Sequence, residues 1–117
     1  MVKPVVAALL LAVAAKGSCE LEFVWIGSPW CHWCKRFEHR VLGDAKIKSL
    51  MKGIKIRHYN SGDSALKPYG LKINYLPTSM FLCDGKKIMY SEGYENIEDF
   101  SNTLMIAKQK ASEHAAP

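Results

Sequence analysis

Apolar and polar positions divide the chain into short alternating stretches. Leu21 to Ile26 is a continuous apolar and β-branched run that predicts a buried strand, closed by Gly27-Ser28-Pro29. From Cys34 the period changes to that of a helix. Cys34, Phe37, Val41 and Leu42 share one face, and Lys35, Arg36, Glu38, His39 and Arg40 cover the others. Gly43-Asp44 interrupts the pattern, and Asp44 is placed to cap a second helical segment with Ile47, Leu50 and Met51 inward, or the later half of one bent helix. Ile54 to Tyr59 then alternates apolar and polar residues, as a half-buried strand does. Strand, helix, strand in that order predicts a right-handed, parallel β-α-β unit.

Asn60 to Ser64 reads as a loop that caps a short helix reaching about Lys67, stopped near Pro68-Tyr69-Gly70. Met80 to Cys83 predicts a strand, Asp84-Gly85 a hairpin turn, and Lys87 to Ser91 the returning edge strand. Asn96 caps a last helix whose stripe is Ile97, Phe100, Leu104 and Ala107. Gln109 to Pro117 carries no apolar period and is expected to fray. No linker or internal repeat interrupts this series, so residues 19–108 are expected to form one domain, with 109–117 a flexible tail. A chain of 117 residues has room for one modest core.

The first fifteen residues follow a different rule. Val5 to Val13 is unbroken apolar sequence behind Lys3, and Ala12-Val13-Ala14 fits a small-x-small cleavage site. Residues 1–15 read as a secretory signal, which predicts an exported, periplasmic protein. The rival reading makes Val5 to Ala15 a first helix of the domain in a cytoplasmic protein, but the stretch has no polar face to turn to solvent. The net charge of +5 is dispersed and lacks a basic stripe with interleaved aromatics, which argues against nucleic acid as a partner.

The candidate chemistry lies in Trp30-Cys31-His32-Trp33-Cys34-Lys35. Cys31 is predicted in the first turn of a helix, where free N–H groups and the helix dipole favour an anion. A thiol so placed can have its pKa lowered from ~8.5 to about 3.5–7.5, and the thiolate is the species that attacks a disulfide. Cys31 is therefore the expected nucleophile. Cys34, a turn later on the buried face, is the expected resolving thiol. A protonated His32 would stabilise the neighbouring thiolate, and Trp33 would either narrow a substrate groove or pack beside the helix. The same cysteine spacing is half of a zinc site, but no second pair follows, and Cys31, Cys34 and His32 with His39 or His58 make a poor ligand set.

The strand, Trp-Cys-x-x-Cys-Lys, the helix and the later Tyr75-Leu76-Pro77-Thr78 resemble the thioredoxin superfamily over about Leu21 to Ile106, and Cys-His-Trp-Cys is most similar to small thioredoxin-like proteins of the bacterial envelope. The resemblance implies an α/β fold, a central mixed sheet of four or five strands flanked by helices. It implies thiol–disulfide oxidoreductase activity on protein or small-thiol disulfides without a bound cofactor or metal. A membrane or soluble thiol reductase would be the electron donor, and the protein would be a monomer. It further implies that Trp30 shields the Cys31 sulfur and that Leu76-Pro77 is a cis peptide offering the Leu76 backbone to a substrate strand, beside Thr78. Trp25 stands where ordinary thioredoxins carry a buried aspartate that accepts the resolving thiol's proton, so either water or Glu22 would take that role or the resolving step would be slower.

In the family's arrangement Cys83 would fall opposite Trp25, leaving Cys19 about 20 Å away along the strand at ~3.3 Å per residue. A disulfide needs Cα atoms within about 7 Å, so Cys19 and Cys83 are expected unbonded, with Cys83 a small buried residue. Two other functions stay open: a peptide-binding adaptor on the same groove, and a metal carrier.

Overall fold

The computed structural model describes residues 19–114, so the expected signal over 1–15 lies outside the described residues. A four-stranded mixed sheet runs in the order β2-β1-β3-β4. Its strands are β1 (Leu21–Gly27), β2 (Lys55–Asn60), β3 (Thr78–Cys83) and β4 (Lys86–Glu92). β2 pairs parallel to β1, whereas β3 runs antiparallel to both β1 and β4. The central strands β1 and β3 are almost wholly buried and the outer strands largely exposed. That division follows from the apolar runs of the one pair and the alternation of the other.

Strand alternation sends side chains to two layers. Phe23, Trp25 and Phe81 face Phe37, Val41, Ile47, Phe100 and Leu104. Val24, Met80 and Leu82 face the other way, under Tyr59, Tyr69 and Leu71. Aromatic rings dominate the larger layer, with Phe23 centred 5.0 Å from Phe81 and 5.2 Å from Phe100, and Phe37 edge-on to Phe100 at 5.2 Å.

Three helical pieces connect β1 to β2: α1 (His32–Arg36), a π-helical turn (Phe37–Val41) and α2 (Ala45–Leu50). The π turn keeps Phe37 and Val41 buried and closes with the Leu42 N–H donating to the Phe37 carbonyl at 2.9 Å. At Gly43 a Cβ would stand 2.3 Å from the His39 carbonyl oxygen, so only glycine lets the chain turn there. Asp44 caps α2 as expected, accepting from the N–H groups of Lys46 and Ile47.

Ser64–Tyr69 forms a 3₁₀-helix instead of an α-helix, ended by Gly70 in the left-handed region. Pro68 sits inside it, and the tighter helix is the form used for short pieces. The hairpin is present as expected, with Asp84 and Gly85 both at positive φ, the two-residue turn that suits strand twist. The last helix, α3 (Ile97–His114), begins at Asn96, whose Oδ1 accepts from the Asp99 N–H at 2.8 Å. It passes its expected end by six residues to His114, because Ala111 is buried and continues the apolar stripe. Residues 109–114 are thus helical, against the expected frayed tail.

The expectation for Cys19 and Cys83 is overturned. They are joined in a disulfide with Cα atoms 5.6 Å apart. β1 and β3 pair with Ile26 opposite Thr78 and Leu21 opposite Cys83, not Trp25 opposite Cys83. Ser28 to Trp30 leave the sheet after Gly27, so Pro77 lies level with the end of β1 and not with Cys31. The whole ladder is four residues from the expected register. Glu20 and Asp84 reinforce the junction, with the Glu20 N–H donating to Asp84 Oδ1 at 2.9 Å and the Asp84 N–H to the Glu20 carbonyl at 3.0 Å.

Candidate active site

β1 stops at Gly27, whose carbonyl accepts from the Ser61 N–H at 2.8 Å, and the chain turns through Ser28-Pro29-Trp30. Cys31 has extended backbone, φ −88° and ψ 109°, and is the N-cap of α1. It thus stands just before the first turn. Its Sγ accepts a hydrogen bond from the Cys34 N–H at 3.0 Å, in the place usually taken by a serine or aspartate oxygen. A thiolate at this atom would receive the same N–H and the helix dipole. Cys34 is only 3 % exposed, and the two cysteines are bonded with Cα atoms 5.2 Å apart.

Large aromatic residues of the Trp30–Cys34 and Tyr75–Thr78 segments are exposed. Trp30 is 93 % exposed, Tyr75 65 % and Trp33 49 %. Trp33 is steadied by Tyr94, centred 5.1 Å away, and by the Arg36 guanidinium 5.8 Å from its ring. His32 is exposed, its ring edge-on to Trp33 at 5.7 Å. The Leu76-Pro77 peptide is cis. Leu76 packs on the same core as Cys31, Pro77 and Thr78 are buried, and Thr78 Oγ1 donates to the Tyr75 carbonyl at 2.6 Å. The expected site residues therefore gather at one end of the sheet. Tyr75, the first residue of the Tyr75-Leu76-Pro77-Thr78 stretch, adjoins them, and Tyr94, which no motif marks, joins them through its contact with Trp33.

A separate cleft of about 240 Å³ opens on the other side of Cys34. Cys34, Trp25, Ser28, Lys35, Glu38 and His58 are among its lining residues. Trp25 and His58 are register partners across β1 and β2, and their rings stack at 3.8 Å, 9° from parallel. Burial pushes the His58 pKa below its ordinary value, with the Glu38 carboxylate opposing. At Gly27 a Cβ would lie 3.0 Å from Cys34 Sγ and 3.1 Å from the Trp25 ring, so strand end, sulfur and indole are closely fitted.

Glu22 does not serve this cleft. It projects from the opposite face of β1, where it is ion-paired with Arg57. Metal chemistry also finds a different place from the one considered. Among the described residues the grouped potential ligands are Cys19, Cys83 and Asp84, and both sulfurs there are committed to the disulfide. A larger cleft, about 350 Å³, lies between β4 and α3 beside Lys87 and Lys110, at the hairpin end of the sheet.

No family model and no curated protein matches the sequence. The backbone does match solved structures. The reduced periplasmic thioredoxin SoxS from Paracoccus pantotrophus is similar with a TM-score of 0.67 and 18 % identity, covering 79 % of this chain and 99 % of that one. The Malassezia sympodialis thioredoxin gives 0.63 at 14 % identity, covering 81 % of each chain. Fasciola hepatica thioredoxin gives 0.58 at 21 % identity, covering 87 % and 94 %. The fold is therefore the thioredoxin fold, and Cys31-His32-Trp33-Cys34 occupies its strand-to-helix junction.

Proposed function

We propose that the protein is a thiol–disulfide oxidoreductase that reduces disulfides of extended polypeptides. The observation that carries this reading is the pair of unlike sulfurs. Cys31 Sγ is partly exposed and accepts the Cys34 N–H, whereas Cys34 is buried directly behind it. In the forward direction the Cys31 thiolate attacks a substrate disulfide and releases one substrate thiolate. Cys34 then attacks Cys31 Sγ, frees the second substrate sulfur and leaves the Cys31–Cys34 bond.

Trp30, Trp33 and Tyr75 offer aromatic contact to the substrate, with low entropy cost for their size. The Leu76 backbone, next to Pro77 and Thr78, lies beyond the β1–β3 ladder and is free to add a short strand of substrate. His32 adds positive charge near Cys31 whenever it is protonated. Export through the apolar leader is supported by its pattern and by likeness to a periplasmic thioredoxin; among the described residues no helix is long and apolar enough to cross a membrane. A thiol reductase, membrane-bound or soluble, would return the pair to the dithiol. One similar structure is a thioredoxin f2 in complex with ferredoxin:thioredoxin reductase.

Reduction of insulin disulfides by a dithiol donor tests the reading. Cys31→Ser should abolish it, and Cys34→Ser should accumulate a covalent mixed disulfide with the substrate. Unchanged reduction in Cys31→Ser would refute the enzyme. Partner binding retained by that variant would add the peptide-binding role. An equilibrium potential near or below about −240 mV supports a reductase, and one near or above about −150 mV an oxidase.

A further inference from the structure

A buried thiol attacks only after losing its proton, and burial in apolar surroundings opposes that loss. Cys34 meets this difficulty, because its nearest neighbours include Gly27, the Trp25 indole and the Phe37 layer. The one carboxylate of β1 inside the described strand, Glu22, is on the wrong face. We infer that His58 accepts the Cys34 proton, through water in the cleft that both residues line, and that Trp25 is the positioning residue that holds the imidazole there. This inference rests on the oxidoreductase reading above.

The geometry has three parts. First, the parallel register fixes His58 beside Trp25, and the 3.8 Å stack leaves the ring nitrogens at the edges, free to meet solvent or the cleft. Second, the cleft is large enough for several waters at ~30 Å³ each and polar enough to keep them, given Ser28, Asn60, Lys35 and Glu38. Third, the charged groups facing His58 there come from both helical pieces, Lys35 from α1 and Glu38 from the π turn. Glu38 is suited to stabilise the imidazolium that forms, and Lys35 the Cys34 thiolate. Partial desolvation favours the neutral ring over the imidazolium, and the neutral ring is the form able to take a proton.

In the mixed disulfide, the Cys34 thiol passes its proton to a cleft water as that water gives one to His58. The Cys34 thiolate forms a bond to Cys31 Sγ, and the bond from Cys31 Sγ to the substrate sulfur breaks. The substrate sulfur leaves with the electron pair. The cysteine pair is oxidised by two electrons and the substrate disulfide is thereby reduced; His58 afterwards returns its proton to solvent or to that leaving thiolate.

Reaction of the reduced protein with 5,5′-dithiobis(2-nitrobenzoate) separates the steps. A first nitrothiobenzoate is released when Cys31 attacks, and a second when Cys34 resolves the adduct. In His58→Gln, and in His58→Phe, which keeps a ring against Trp25, the ratio of second to first rate should fall at least about tenfold at pH 7. The pH profile of the second phase should move upward in both variants. Glu38→Gln should lower the second phase less. Equal ratios and superimposable pH profiles in wild type and both His58 variants would overturn the assignment, as would loss in His58→Gln restored by His58→Phe, which would make the role one of packing. Absence of the first release from the wild type would instead refute the oxidoreductase reading itself.

Discussion

Cys19 and Cys83 are bonded at the hairpin end of β1, while the Cys31–Cys34 pair lies beyond its other end. One chain therefore carries two disulfides with separate duties. The Cys19–Cys83 bond spans a sequence separation of 64 residues. Closing a loop of that size restricts the unfolded chain, and its removal should cost about 2–5 kcal/mol. Cys19→Ala/Cys83→Ala, compared with wild type by denaturant unfolding, should show that loss while still reducing insulin. Equal stability would mean the bond is not formed in solution.

Gly43 admits no side chain, since the first added carbon would overlap the His39 carbonyl. The obstacle is backbone, which cannot swing aside as a flexible side chain can. Gly43→Ala should lower stability by about 1–3 kcal/mol, read from denaturant midpoints, through a shift of the π turn. An unchanged midpoint would show that this turn relaxes freely.

Glu95 gives the fold a pH signature independent of the cysteines. Burial raises its pKa, Asp99 adds to the rise, and hydrogen bonds from Thr103 and Ser91 oppose it. The folded protein therefore holds this proton at pH values where the unfolded chain has released it. The resulting stability is complete below the ordinary value of 4.5 and lost as pH rises through the raised one. Glu95→Gln carries no such loss. Its melting temperature relative to wild type should climb from about pH 4 to about pH 7, and a flat difference would contradict the assignment.

Trp30 is almost entirely exposed, so its removal should leave stability within about 0.5 kcal/mol. If it meets substrate, Trp30→Ala should raise KM for insulin severalfold and leave the rate with a small aromatic disulfide nearly unchanged. Equal effects on both substrates would assign Trp30 to shielding the sulfur instead.

Much of this architecture is legible in local pattern. The Leu21 to Ile26 run, the change of period after Cys34, the Asp44 and Asn96 caps and the Asp84-Gly85 turn each depend on residues close together in sequence. The β1–β3 register is not of that kind. Sliding the pair by four residues keeps every side chain on its own face, so apolar alternation fits both registers equally well. Only the loop Ser28 to Trp30, which leaves the sheet, decides between them, and with it the Cys19–Cys83 bond. The continuation of α3 was hidden by Ala111, a residue too small to mark an apolar stripe by itself. The Trp25–His58 stack depends on a parallel pairing of distant strands, and neither residue announces it alone.

The tight fit at Gly27 has a kinetic meaning. A methyl group added at Gly27 would have to push Cys34 Sγ or the Trp25 ring aside by a few tenths of an ångström, so the resolving sulfur has little slack toward the strand end. It stays within a short, stiff turn of Cys31. The effective concentration of one sulfur at the other can then far exceed that of any dissolved thiol, because the ordering was completed during folding. A mixed disulfide formed at Cys31 would be captured from within the protein before a competing thiol arrives from solution, and each substrate encounter would end in release.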